Sequence, residues 1–117
     1  MDENVKATLV EAGVNVQTAL ERFMGNEQLM VKFLKKFTDD TNFQKLVSAI
    51  EEKNWEEAFK AAHTMKGLCG NLSIENLQNL VSEQTEFLRA GNGEEAAAMM
   101  PQVQEAYDKV TAVLLTL

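Results

Sequence analysis

Apolar residues recur three and four positions apart along almost the whole chain, and this period limits the possible folds more than any other feature. The clearest stripe is formed by Met30, Phe33, Leu34 and Phe37. Runs of β-branched residues, which favour strands, are absent, whereas the good helix formers Ala, Leu, Glu, Lys, Gln and Met dominate. The sequence therefore predicts an all-α protein.

Short polar or glycine-bearing segments divide this pattern into separate helices. Asn15, Asn26 and Asn54 each stand directly before an amphipathic segment, where N-cap residues are favoured. Gly25 stands where a helix ends. Ser73 is predicted to cap the helix that follows it.

Two further positions predict irregularities within the helices. The polar cluster at 38–41 predicts a break or kink. The last helix is expected over residues 94 to about 115 with Pro101 inside it, and proline kinks a helix or removes one of its backbone hydrogen bonds.

Connections this short favour helices that pack antiparallel to their neighbours. We therefore expect an antiparallel up-down-up-down four-helix bundle, with one or two short N-terminal helices packed against one end. A length of 117 residues argues for a single domain over 1–117, and 45 % hydrophobic residues can supply one core.

Composition excludes several classes of partner and location. A net charge of −7 makes nucleic acid an improbable ligand. No stretch approaches the roughly 18 apolar residues of a membrane span, and the acidic N-terminus does not resemble a signal peptide. The single cysteine, Cys69, cannot form an intramolecular disulfide, which fits a reducing compartment. We expect a cytoplasmic protein.

The only histidine, His63, lies in the segment HTMKGLCGN of a helix predicted over residues 55–72. At about 100° per residue it falls on the polar face, so its imidazole should be exposed. Gly67 and Gly70 lie within about 40° of it on the same helical projection. Each glycine costs about 1 kcal/mol relative to alanine in a helix interior.

The residues around the histidine favour phosphoryl chemistry. Lys60 and Lys66 flank His63 at i−3 and i+3, and Thr64 lies beside it on the same face. A neutral imidazole is a nucleophile, and a phosphoryl group gained there would carry close to two negative charges that a lysine can offset. Gly67 removes the side chain that would crowd the ring. Gly70 is compatible with the same role or with a helix end.

The segment AHTMKGLCGNL, residues 62–72, resembles the A-H-x-L-K-G signature of the histidine phosphotransfer (HPt) family. The resemblance extends over most of the chain, through ALERFMGNEQLMVKFLKKF and NWEEAFKAAH. It implies a four-helix bundle whose exposed histidine exchanges phosphoryl groups with aspartates of receiver domains. By this resemblance His63 is the phosphoacceptor, Lys66 the basic partner of the phosphoryl group, and Gly67 the small residue that keeps the ring accessible.

Some positions depart from the family pattern. Met65 replaces the commoner leucine, and Ser73 stands where the family often has glycine. Many members orient the imidazole with a Gln or Glu on the following helix; that position falls near Thr85, with Gln84 beside it, so both are candidates for orienting His63.

The resemblance also implies partners. These are receiver domains of response regulators or hybrid histidine kinases. Separately, Leu29 lies beside an apolar stripe and Val31 lies off it, so both are candidate docking residues. The receiver is expected to supply Mg²⁺, and no cofactor or metal is expected on this chain. Nucleotide-binding G-x-x-x-x-G-K-[ST] and G-x-G-x-x-G motifs are absent, so autokinase activity is not expected. The chain is expected to act as a monomeric phosphotransfer protein rather than a true enzyme.

Two alternatives stay open on the sequence. Six methionines and one histidine would permit a haem- or metal-binding four-helix bundle, provided that His63 points inward. A helical adaptor that is never phosphorylated would keep the fold without the chemistry.

Overall fold

The computed structural model describes all 117 residues and is helical throughout. Its helices are α1 (Glu3–Glu11), α2 (Val16–Arg22), α3 (Glu27–Phe37), α4 (Asn42–Glu51), α5 (Trp55–Asn71), α6 (Glu75–Arg89), α7 (Gly93–Ala98) and α8 (Met100–Leu114). The only β-type pairing is an isolated bridge between Val14 and Ile74. The all-α prediction is confirmed.

The helices pack into a bundle in which α5 makes the most extensive contacts, with α4 and α6. Three-residue connections join α4 to α5 and α5 to α6, and each pair packs as a helical hairpin. Helix α6 also packs against α7 and α8, and α7 packs against α4. The short helices α1 and α2 lie against each other, and α1 also contacts α8. No helix combines the length and apolar character that a membrane crossing needs.

The three asparagine caps form as the sequence predicts. The side-chain oxygens of Asn15, Asn26 and Asn54 each accept a hydrogen bond from the backbone N–H three residues later, at 3.0–3.2 Å. These bonds satisfy amide groups that have no partner inside the helix, so they fix where α2, α3 and α5 begin.

The predicted cap at Ser73 is wrong. Ser73 ends α5 in the left-handed conformation, with φ +56°, and Ile74 precedes α6 without a side-chain capping bond. Ile74 N–H donates to the Cys69 carbonyl and Ser73 N–H to the Gly70 carbonyl, which is the Schellman pattern of a helix C-terminus. The Ser73 carbonyl accepts from Asn15 N–H at 2.8 Å. Tertiary pairing therefore holds Ser73 where glycine is usual.

The single helix expected over residues 94 to about 115 is two helices. The break falls at Met99, between α7 and α8, so Pro101 lies in the first turn of α8. Its missing N–H costs nothing there, because first-turn N–H groups have no partner within the helix. The side-chain amide of Gln84 donates to the Ala96 carbonyl at 3.0 Å, next to this break.

Candidate functional site

His63 lies in the middle of α5 on the face that points away from the core. Its side chain is exposed, whereas Ala58, Ala62, Met65 and Cys69 on the opposite face are buried. The helical period of α5 produces this division, because the apolar residues recur at a spacing of three and four. The expected exposure of the imidazole is present in the structure.

Gly67 lies one turn beyond His63, in the helical interior of α5, and is exposed. A Cβ atom built there would meet nothing within 4 Å. Packing therefore does not require glycine at this position, although glycine costs about 1 kcal/mol in a helix. Helical side chains lean toward the N-terminus, so a larger residue at 67 would lie over the turn that carries His63.

Gly70 has a different environment. It is still helical, since α5 continues to Asn71, and it faces α6. A Cβ atom there would lie 3.0 Å from Nε2 of Gln78. In this structure Gly70 makes room for an amide on the neighbouring helix, two turns from His63.

The polar residues around the histidine differ in whether their side chains already have an ion-pair or hydrogen-bond partner. Lys60 lies 3.4 Å from Glu57 and 3.8 Å from Glu56, and both pairs are exposed. The Thr64 hydroxyl donates to the Lys60 carbonyl at 2.9 Å. Lys66 is half-buried and forms no ion pair. It is therefore the ammonium group on this face without a carboxylate partner.

Thr85 is level with His63 in the α5–α6 pair. Gly70 faces Gln78, and the guanidinium of Arg89 lies over Phe59, so both contacts give the same antiparallel register. Thr85 is fully buried, and its hydroxyl donates to the Val81 carbonyl at 2.6 Å. That bond keeps the hydroxyl within its own helix rather than on the imidazole.

Gln84 is also fully buried and points toward the last two helices. Its Nε2 donates to the Ala96 carbonyl and lies 3.0 Å from Sδ of Met100, while its Oε1 has no partner. Neither Gln84 nor Thr85 hydrogen-bonds to His63, so the structure gives no support to the expectation that one of them orients the ring.

The contact that the imidazole does make is aromatic. The rings of His63 and Phe59 are stacked, with centroids 5.9 Å apart and an interplanar angle of 18°. The guanidinium carbon of Arg89 lies 5.1 Å from the centroid of the Phe59 ring. The spacing of four residues between Phe59 and His63 is the signal in the sequence for this contact.

The two candidate docking residues lie on α3. Leu29 is 38 % exposed, next to Phe33 at 39 %, whereas Val31 is half-buried against the core. Helix α3 packs mainly against α2 and α8.

No group of three or more His, Cys, Asp or Glu side chains is placed to hold a metal ion. Cys69 is buried, and burial, with a smaller effect of the Asp40 charge, raises the pKa of its thiol to about 12. Haem ligation inside the bundle would require an inward His63, and its side chain is exposed. The geometry does not support the metal-binding alternative.

Comparison with known protein families identifies the fold. The family model described as "Hpt domain" matches residues 28–113, from the first turn of α3 to the last turn of α8, and this match includes His63. Two further comparisons, with curated proteins and with solved structures, found no match. Because the matched region is most of the chain and has the expected helical bundle, the chain belongs to the Hpt domain family.

Proposed function

We propose that this chain is a phosphorelay intermediate, which accepts a phosphoryl group on His63 from the phospho-aspartate of one receiver domain and passes it to the aspartate of another. Membership of the Hpt domain family supports the reaction class. The observation that carries the assignment to His63 is the bare helix surface beside it: Gly67 occupies an open, helical position where nothing in the fold requires glycine.

The chemistry needs a neutral imidazole with its proton on Nδ1 and a free electron pair on Nε2. That pair attacks the phosphorus, the bond from phosphorus to the aspartyl oxygen breaks, and the carboxylate leaves with the electron pair. The second step is the reverse, with another aspartate as the nucleophile. The receiver supplies Mg²⁺ for both steps, so this chain contributes a nucleophile, a charge and a surface rather than a complete catalytic site.

Lys66 is assigned to the phosphoryl group. Its ammonium lies one turn from His63 and has no carboxylate partner to neutralise it, in contrast to Lys60. A phosphohistidine would carry close to two negative charges, and a nearby cation stabilises them. Thr64 and Lys60 border the site, but both side chains already have partners. The Thr64 hydroxyl donates to the Lys60 carbonyl, and the Lys60 ammonium is paired with Glu57.

The partner in this proposal is bulky, since the phosphoryl donor is a folded domain. Gly67 clears the approach next to the imidazole. Leu29 and Val31, on α3, remain proposed receiver contacts. We propose that the exchange takes place in the cytoplasm, which fits the one unpaired cysteine, and that the chain acts as a monomer.

The test is transfer from a receiver that carries a labelled phosphoryl group on its aspartate. Label should move to the wild-type chain and form an acid-labile adduct, and it should not move to His63→Gln. Gln102→Ala, at an exposed position in the first turn of α8, serves as the matched control and should accept label normally. Equal labelling of His63→Gln would overturn the assignment.

A further inference from the structure

We infer that Phe59 is the positioning residue for the His63 imidazole, a role that rests on the phosphotransfer function proposed above. The two rings stack at 5.9 Å between centroids and 18° between planes. These values fall within the offset-stacked geometry that aromatic pairs prefer. A stacked neighbour limits rotation of the imidazole about its Cβ–Cγ bond, and it contacts the face of the ring rather than the edge that carries the two nitrogens.

The direction of helical side chains explains why this contact forms. Phe59 and His63 are four residues apart, so they lie one above the other on α5. The histidine leans toward the N-terminus and therefore onto Phe59. Gly67, four residues the other way, has no side chain to lean onto the histidine. The ring thus has a support on one side and open space on the other.

Phe59 is itself held from two directions. Its ring is half-buried against the core, and the Arg89 guanidinium lies 5.1 Å from the ring centroid. Arg89 also forms an exposed ion pair with Glu86, with Nε 3.1 Å from the carboxylate. The support for the imidazole is therefore tied to α6 rather than to α5 alone.

No hydrogen bond competes for this role. Thr85, level with His63, directs its hydroxyl to the Val81 carbonyl, and Gln84 directs its amide to Ala96 and Met100. A ring that lacks a polar partner on the next helix needs another constraint on its orientation. The aromatic stack supplies it.

The experiment combines a spectroscopic and a kinetic measurement on Phe59→Leu, Phe59→Tyr and Phe87→Leu. His63 is the only histidine, so its ring-proton NMR signals are unambiguous. Ring-current shifts from Phe59 should disappear in Phe59→Leu and persist in Phe59→Tyr. Phe87 is a half-buried phenylalanine on α6 outside the stack, and its replacement controls for loss of packing.

In the kinetic arm, phosphoryl acceptance from a charged receiver should fall about two- to tenfold in Phe59→Leu, the factor expected for losing one aromatic pair. Phe59→Tyr should restore it, and Phe87→Leu should leave it unchanged.

Each result decides a different question. Unchanged His63 signals in Phe59→Leu would overturn the stack, and moved signals with unchanged transfer would overturn the positioning role. A wild-type chain that accepts no label would overturn the proposed function, and the positioning role with it, even where the ring-current shift is present.

Discussion

The indole ring of Trp55 lies directly against Gly93, at the point where the start of α5 meets the start of α7. A Cβ atom on Gly93 would stand 2.8 Å from Nε1 of the indole and closer still to two of its carbon atoms. Gly93 is buried, and its φ is not positive, so contact rather than backbone conformation requires glycine here. The fold therefore depends on a close approach between two residues that are far apart in the sequence.

Replacing Gly93 by alanine should destabilise the protein by about 1–3 kcal/mol, because the added methyl group forces the Trp55 ring out of its position. Urea denaturation followed by Trp55 fluorescence measures both the loss of stability and the displacement of the ring, since this is the only tryptophan. Gly25→Ala would be a poor comparison because Gly25 has φ +78°, so Gly67→Ala is the control. An unchanged midpoint for Gly93→Ala would contradict the contact.

Gly67→Ala should raise the free energy of unfolding by about 0.5–1 kcal/mol, since alanine is the better helix former and nothing lies within 4 Å of the new methyl group. Gly67→Leu should instead lower phosphoryl acceptance about tenfold or more, because its side chain leans over His63 and displaces the approaching phosphoryl group. Denaturation and transfer kinetics on the same samples separate the two effects.

Gly70→Ala is the matched control for this pair. It offers the same gain in helix propensity but faces Gln78 on α6, two turns from His63. Its transfer rate should equal that of the wild type. A Gly67→Leu variant that transfers as fast as Gly70→Ala would show that the bare surface is not needed for access.

Features set by neighbouring residues in the chain could be predicted from the sequence. The caps at Asn15, Asn26 and Asn54 depend on a side chain and an amide three residues apart, so composition and spacing suffice. The exposed face of α5 follows from the same local period, which is why the position of His63 could be placed correctly.

Features set by contacts between distant segments could not be predicted in this way. Ser73 ends α5 because Asn15 N–H binds its carbonyl and Arg22 Nε donates to its hydroxyl at 3.2 Å, and neither partner is near in sequence. Gln84 likewise points toward the α7–α8 break because its side-chain amide binds the Ala96 carbonyl on another helix. A polar residue on an amphipathic helix carries no local signal of which neighbour it will meet.

Lys66→Gln should slow phosphoryl acceptance between about two- and tenfold, because Lys66 has no carboxylate partner and contributes one charge-assisted interaction to a doubly charged group. Lys60→Gln should change the rate by less than about twofold, since Glu56 and Glu57 already neutralise that lysine. The difference should shrink as salt is added. Equal effects of the two substitutions would contradict the assignment of Lys66.

Cys69 should make stability fall at alkaline pH. Burial raises the pKa of its thiol from 9.0 to about 12, so between these values the folded chain keeps the proton that the unfolded chain loses. The contribution of the protonated thiol to the free energy of unfolding is therefore complete below pH 9. It is lost as pH rises toward 12, at about 1.4 kcal/mol per pH unit between these two values. Urea unfolding at pH 8, 10 and 11 measures this loss.

Cys69→Ala removes this group and keeps every other ionisable side chain. The Cys69 charge is the smallest of the causes that raise the pKa of Tyr107, so the comparison reports mainly on the thiol. The wild type and Cys69→Ala should converge in stability as pH rises. Curves that stay parallel from pH 8 to pH 11 would contradict the buried, protonated thiol. The native wild type should also react slowly with a thiol reagent at pH 8 and rapidly once unfolded.

Met24→Gly should stabilise the protein by about 1 kcal/mol. Met24 ends α2 with φ +55°, a conformation that costs residues with a Cβ roughly 1–2 kcal/mol and glycine nothing. Its side chain is 94 % exposed, so its removal loses almost no packing. Met24→Ala keeps the Cβ and therefore the strain, which makes it the matched control. Thermal unfolding should rank Met24→Gly above both the wild type and Met24→Ala. Equal midpoints for glycine and alanine would show that the left-handed turn stores no strain, because both variants lack the methionine side chain and differ only in the Cβ.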